Sequence, residues 1–155
     1  MNDSLVFHFR SQWHFLRGLT RDLLQSMTND DLLKSPAPTL GPWWKQFRHM
    51  GRVQENYLEA VGRGTVKFGV EGASYTGGPS KQALIRYLTQ LDQRLNSMLD
   101  GDQQAISIDW FGEKKSLAQH FLYLADHEVL HHGQWIVYKK LLGGTFPKSW
   151  SVWGL

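Results

Sequence analysis

The sequence predicts an all-α fold, a four-helix bundle, on three observations. Four long segments carry apolar residues three and four apart, the period of one helix face. Between them lie proline- or glycine-bearing stretches that do not continue a helix. At 155 residues the chain has the size of one domain, 1–155, with no internal repeat and no linker long enough to divide it.

The first segment runs from about Ser4 to Met27, where Leu5, Phe9, Trp13, Leu16, Leu19, Leu23 and Leu24 make one stripe. Lys34-Ser35-Pro36-Ala37-Pro38 is a connection, because proline lacks the amide donor and restricts the residue before it. The second segment runs from about Pro42 to Val61, with Pro42 suited to a first turn and Gly62 and Gly64 near its end. Its buried stripe is Phe47, Met50, Val53, Tyr57 and Val61, and His49 sits beside it. The glycine-rich stretch from Gly64 to Pro79 reads as a loop, with a short hairpin across Val66–Tyr75. The third helix spans Ser80 to Leu99, capped by Ser80 and striped by Ala83, Leu84, Tyr87, Leu88, Leu91, Leu95 and Leu99. Asp100 to Lys115 reads as a connection holding the aromatic pair Trp110-Phe111. The fourth helix follows from about Ser116 to Leu142, opened by a Ser116/Gln119 capping box and closed by Gly143-Gly144. The tail from Phe146 to Leu155 is too apolar to stay solvated and is expected to pack back on the bundle.

Composition narrows the function. No cysteine is present, which excludes disulfides, thiolate nucleophiles and cysteine-rich metal sites. Seventeen Lys/Arg against fourteen Asp/Glu leave a formal charge of +3, spread along the chain, with Lys114-Lys115 and Lys139-Lys140 the only adjacent basic pairs. Nucleic-acid binders gather positive charge on one face, so no nucleic-acid partner is expected. No apolar run approaches the roughly 20 residues of a membrane span. The first residues lack a signal-peptide pattern, so the expected location is cytoplasmic, with no membrane partner.

The histidines carry the chemistry. Of seven, His120, His127, His131 and His132 lie within thirteen residues. His127 and His131 are four apart, hence on one helix face about 5–6 Å apart at Cβ. They occupy positions of the buried stripe Leu117, Phe121, Leu124, His127 or Glu128, His131, Trp135, Tyr138 and Leu142. Two buried imidazoles without partners cost about 1–3 kcal/mol each, and a shared metal ion removes both costs. His49, on another helix, is the third candidate ligand. His127-Glu128-Val129-Leu130-His131 also spells the H-E-x-x-H of zinc peptidases, whose glutamate is a general base. That reading fails on ligand supply, because no Asp, Glu or His follows His132.

These residues closely resemble the DinB/YfiT-like superfamily of metal-binding four-helix bundles. The likeness covers nearly the whole chain: Ser35-Pro36-Ala37-Pro38, then Pro42-Trp43-Trp44-Lys45-Gln46-Phe47-Arg48-His49-Met50, then His127-Glu128-Val129-Leu130-His131-His132-Gly133-Gln134, then the tail Phe146-Pro147-Lys148-Ser149-Trp150. The resemblance implies three metal ligands, His49, His127 and His131, holding one divalent transition metal (zinc, nickel, iron or manganese) with open positions. It also implies thiol-dependent S-transferase chemistry with a low-molecular-weight thiol such as bacillithiol or mycothiol, or the isomerisation of maleylpyruvate. Other members are metal-binding, stress-associated proteins of no assigned reaction. Position 132, often arginine in the family, is histidine here, about 100° round the helix from His131.

The remaining polar residues have two readings each. Glu128 points away from the histidine bisector, toward the first helix, or serves as a base toward bound water. Tyr138 donates its hydroxyl to a bound ligand or packs in the core with its hydroxyl at the rim. His120 lines a pocket or is a capped polar group, and His14 is an ordinary amphipathic helix residue or an alternative ligand. His8 is an ordinary helix residue, while Gln134 and Trp135 flank the metal pair and Trp43, Trp44 and Trp110 wall a pocket or pack the core. The expected function is a metal-dependent S-transferase or hydrolase acting on a small-molecule substrate in detoxification. The alternative is a non-catalytic metal-binding stress-response bundle. A homodimer is expected in either case.

Overall fold

The computed structural model describes residues 2–69, 74–101 and 106–155. Among the described residues five α-helices form: α1 (Asn2–Ser26), α2 (Asn29–Leu33), α3 (Trp43–Arg63), α4 (Lys81–Asp100) and α5 (Leu117–Leu141). The four long ones match the four periodic segments, and their stripes are buried nearly as expected, Leu5 being an exposed exception. The short α2 is an addition. Thr28 caps it and shares a capping box with Asp31, whose carboxylate accepts from the Thr28 amide at 2.9 Å.

α1 packs between α5 and α4, and α3, across the bundle, packs against the same two. The α3–α4 contact is close: a Cβ on Gly51 would stand 2.0 Å from the Tyr87 ring, so only glycine fits there. Ser80 caps α4 and the Ser116/Gln119 box opens α5, as the sequence predicts. α3 stops at Gly64, which turns at φ 71°.

The connection before α5, read from the sequence without strands, contains a hairpin. β1 (Ser107–Trp110) and β2 (Glu113–Ser116) pair antiparallel, Ser107 opposite Ser116 and Trp110 opposite Glu113. Phe111 and Gly112 turn the chain with φ 54° and 97°, both positive as a two-residue primed turn requires. Asp109 ties the hairpin to the end of α3, donating to Gly64 O at 2.9 Å and accepting from Val66 N at 3.0 Å. The hairpin expected across Val66–Tyr75 has its centre, residues 70–73, outside the described residues.

The tail packs back through a 3-10 turn, Lys148–Trp153. Trp150 is fully buried and its indole N–H donates to Leu19 O at 2.9 Å. Among the described residues no helix is long and apolar enough to cross a membrane.

Candidate metal centre

α3 and α5 bring His49, His127 and His131 to one point. A ring nitrogen from each lies within 4.8 Å of the other two. Ring centroids are 5.3 Å apart for His49–His127, 4.9 Å for His49–His131 and 4.5 Å for His127–His131. The four-residue spacing on α5 sets the last pair; the α3–α5 packing sets the other two. His131 is buried, His127 half-buried and His49 exposed, so the group is anchored within the bundle and opens at its rim.

Burial favours the neutral form of all three rings. Burial, followed by the other two histidines and His132, pushes the His131 pKa down to about 3. Burial, then His49 and Arg17, brings His127 down to about 4. His49 is lowered by burial, then by the charges of Arg52 and Arg48. Neutral imidazole is the ligating form. The Nδ1 atoms of His127 and His131 are buried without a hydrogen-bond partner, which costs about 1–3 kcal/mol per group unless something else satisfies them. Three imidazoles, two of them with a buried unpaired nitrogen, and no thiolate fit a borderline divalent transition ion, and three protein ligands leave such an ion a position for substrate.

A cleft of about 430 Å³ adjoins the group. α3 supplies His49, Arg52, Val53, Asn56 and Tyr57, the segment after it supplies Phe68 and Gly69, and α5 supplies His127. Sequence reasoning singled out only the two histidines of this wall for function. The signal for the rest was present in the 49, 52, 53, 56, 57 spacing, one continuous face of α3.

Glu128 lies on another side of α5, meeting the first helix. It is fully buried, and one carboxylate oxygen accepts from the Thr20 hydroxyl at 2.5 Å. The other stands 3.6 Å from the Arg17 guanidinium. Burial raises its pKa, opposed by Arg17 and Thr20. His132 is also buried, its Nε2 2.9 Å from the same Thr20 hydroxyl. Since that hydroxyl donates to Glu128, Nε2–H is the donor to it. Behind them, buried Arg17 donates across the bundle to Gln54 at 2.8 Å. Asp92 accepts from Gln54 and Trp13, each at 3.1 Å, and from Arg21 at 2.5 Å. This polar layer joins α1, α3, α4 and α5, and the apolar-stripe reading missed it.

Tyr138 is buried outside the cleft lining, its hydroxyl donating to Gly41 O at 3.3 Å and accepting from Gln46 at 3.0 Å. His120 is a satisfied core group: its Nδ1 accepts from Trp110 Nε1 and its Nε2–H donates to Tyr57 O, each at 2.9 Å. His8 and His14 are exposed on α1, outside the triad, and Gln134 is exposed on α5. Trp43 packs on Phe47, Trp135 and Tyr138, and Trp44 lies under Arg48 and Lys45. Trp110 backs Tyr57 and Phe68, which line the cleft.

Residues 12–135 match the DinB superfamily. The fold is similar to that of a DinB-like protein from Bacillus cereus ATCC 10987, at 20% identity and a TM-score of 0.72, covering 90% of this chain and 93% of that one. A protein described as a DinB-family member from Exiguobacterium sibiricum 255-15 is similar at 20% identity and a TM-score of 0.73, covering 92% and 95%. A DinB-like protein from Bacillus subtilis is similar at 18% identity and a TM-score of 0.68, covering 94% and 97%. No curated protein matches the sequence.

Proposed function

The chain belongs to the DinB superfamily, and we propose that it is a divalent-metal-dependent enzyme of the cytoplasm. It joins a low-molecular-weight thiol to a small electrophile, or hydrolyses one, in detoxification or stress response. The observation that carries this reading is the His49–His127–His131 group meeting within 4.8 Å beside an open cleft.

The three histidines are the residues to hold zinc, nickel, iron or manganese. A bound ion supplies a Lewis acid beside which a thiol or water loses its proton near neutral pH. Buried His131 and half-buried His127 fix the floor, and exposed His49 leaves one side reachable. The chain has no cysteine, so the thiol arrives as a co-substrate. Glu128, held by Thr20 and facing Arg17, secures α5 to α1, and Tyr138 secures α5 to the start of α3. The cleft lining provides no carboxylate base among the described residues.

Elemental analysis of the purified protein, beside His49→Ala and His131→Ala, tests the metal. About one equivalent in the parent and little in either variant is expected. Full occupancy in both variants would refute the site. A panel of small thiols with electrophilic acceptors then tests the chemistry, and a metal-loaded protein inert across it speaks for the second reading, a non-catalytic dimeric module. Exposed Val152, Trp153 and Leu155 on the tail favour a second copy as neighbour in either case.

A further inference from the structure

The cleft has an order along α3 that specifies more than a metal. His49, Arg52, Val53, Asn56 and Tyr57 share one helix face, so the distance from His49 to Tyr57 is about 12 Å at 1.5 Å per residue. The imidazoles stand at one end. One turn on comes the Arg52 guanidinium, and a turn further the Asn56 amide. The far end is an aromatic shelf, with the Tyr57 ring 5.9 Å from Phe68 and 5.5 Å from Trp110.

The exposure of this shelf says that it meets a ligand. Phe68 is 45% exposed and Phe111 beside it 79% exposed, apolar surface left in water at the mouth of a cleft. Between the ends the described lining carries one charged side chain, Arg52. No carboxylate is among the described lining residues, and Asp126, whose charge reaches Tyr57, is exposed and outside the lining. Arg52 is engaged within the protein, but a guanidinium has five donors and can satisfy more than one acceptor.

We infer that the cleft binds an amphipathic carboxylate, its acid group gripped by Arg52 and Asn56 and its apolar body lying on Val53, Tyr57 and Phe68. The reacting group of that molecule then faces the triad, and only this last placement rests on the metal-centred reading. Arg52 sets the preference for an acid, because a planar fork matches the two oxygens of a carboxylate. The aromatic shelf sets the preference for an apolar body and is indifferent to charge.

The test is calorimetric titration with phenylacetate and its neutral analogue phenylacetamide, on zinc-loaded protein and on protein stripped with a chelator. The acid should bind about tenfold tighter than the amide in both forms. Arg52→Gln should erase that preference while zinc content and helical circular dichroism stay unchanged, and Arg52→Lys should restore part of it. Phe68→Ala should weaken acid and amide alike, by about threefold to tenfold. Equal binding of the two probes, no binding of either, or a preference that survives Arg52→Gln in the stripped protein would overturn the inference. A parent protein that never takes up zinc would sink the metal reading alone, since the stripped-protein comparison still decides the carboxylate.

Discussion

Two pairs of residues four apart share one stretch of α5 and meet different neighbours. His127 and His131 face α3, where the neighbour is a third imidazole, and their Nδ1 atoms are left without hydrogen bonds. Glu128 and His132, one residue later, face α1, where Thr20 donates to the carboxylate at 2.5 Å and lies 2.9 Å from the imidazole. Spacing is the same in the two pairs, and burial differs at His127, half-buried where Glu128, His131 and His132 are buried. What also differs is the facing helix: α1 supplies a hydroxyl and a guanidinium that the protein's own groups can use, and α3 supplies only another acceptor-bearing ring. The α1 face, the closed one, is tied together within the protein, though Glu128 Oε2 and His132 Nδ1 remain without hydrogen bonds, and the α3 face, the open one, gathers three imidazoles that one ion would engage together.

The largest effect should come from breaking the open face. His131→Ala or His49→Ala should lower zinc affinity about a thousandfold, beyond the ten- to hundredfold typical of groups behind metal ligands. Competition with a chromophoric chelator measures it. Breaking the closed face should do the converse. Glu128→Ala removes one of the two carboxylates beside buried Arg17, leaving Asp92 at 3.4 Å, and strands the Thr20 hydroxyl, a loss of about 3 kcal/mol of unfolding free energy in urea, with zinc stoichiometry of the folded protein preserved. Metal released by Glu128→Ala at unchanged stability would show that the two faces are not separate.

The open face was legible in the sequence and the closed one was not. An i, i+4 histidine pair on an apolar stripe announces unsatisfied donors, whatever the fold around it. Arg17 and Thr20 sit in the same stripe as Trp13 and Leu24, and an apolar count passes over them. Their burial is intelligible only once α5 is seen to present Glu128 and His132 opposite. The hairpin escaped for a local reason. Its strands are four residues long, β2 is mostly charged, and Phe111-Gly112 is not one of the asparagine- or aspartate-glycine turns that mark such hairpins. Thr28 and Asp31 did carry a cap signal for α2, but five residues are too few for a periodic stripe.

His120 sharpens the comparison, because on the same helix it has both nitrogens satisfied by protein. Protonation would set an Nδ1–H against the Trp110 N–H that now donates to it. Burial lowers its pKa to about 4 from the ordinary 6.5. Above pH 6.5 both folded and unfolded chains are neutral there, and the full stability is present. Between 6.5 and 4 the unfolded chain takes the proton first, so stability falls with pH, by about 3 kcal/mol in total. Below 4 both states are charged and this loss stops growing. His120→Phe keeps the ring and drops the titration. The difference in urea stability between parent and variant should therefore shrink as pH falls through that window, and a constant difference would contradict it.

Thr20 gives the smallest effect and the finest cut. Its hydroxyl serves both members of the closed pair, so Thr20→Val, which keeps the shape, leaves a Glu128 oxygen and the His132 Nε2–H unpartnered for about 2 kcal/mol. Thr20→Ser keeps the hydroxyl and loses one methyl group, about 1 kcal/mol. Urea unfolding should rank parent, serine and valine in that order. Zinc affinity should not move, because Thr20 lies outside the cleft lining and the triad. A fall in affinity that tracks the stability series would mean that the closed face aims the open one. His127 and His131 would then owe their convergence to the α1 contact as well as to their spacing on α5.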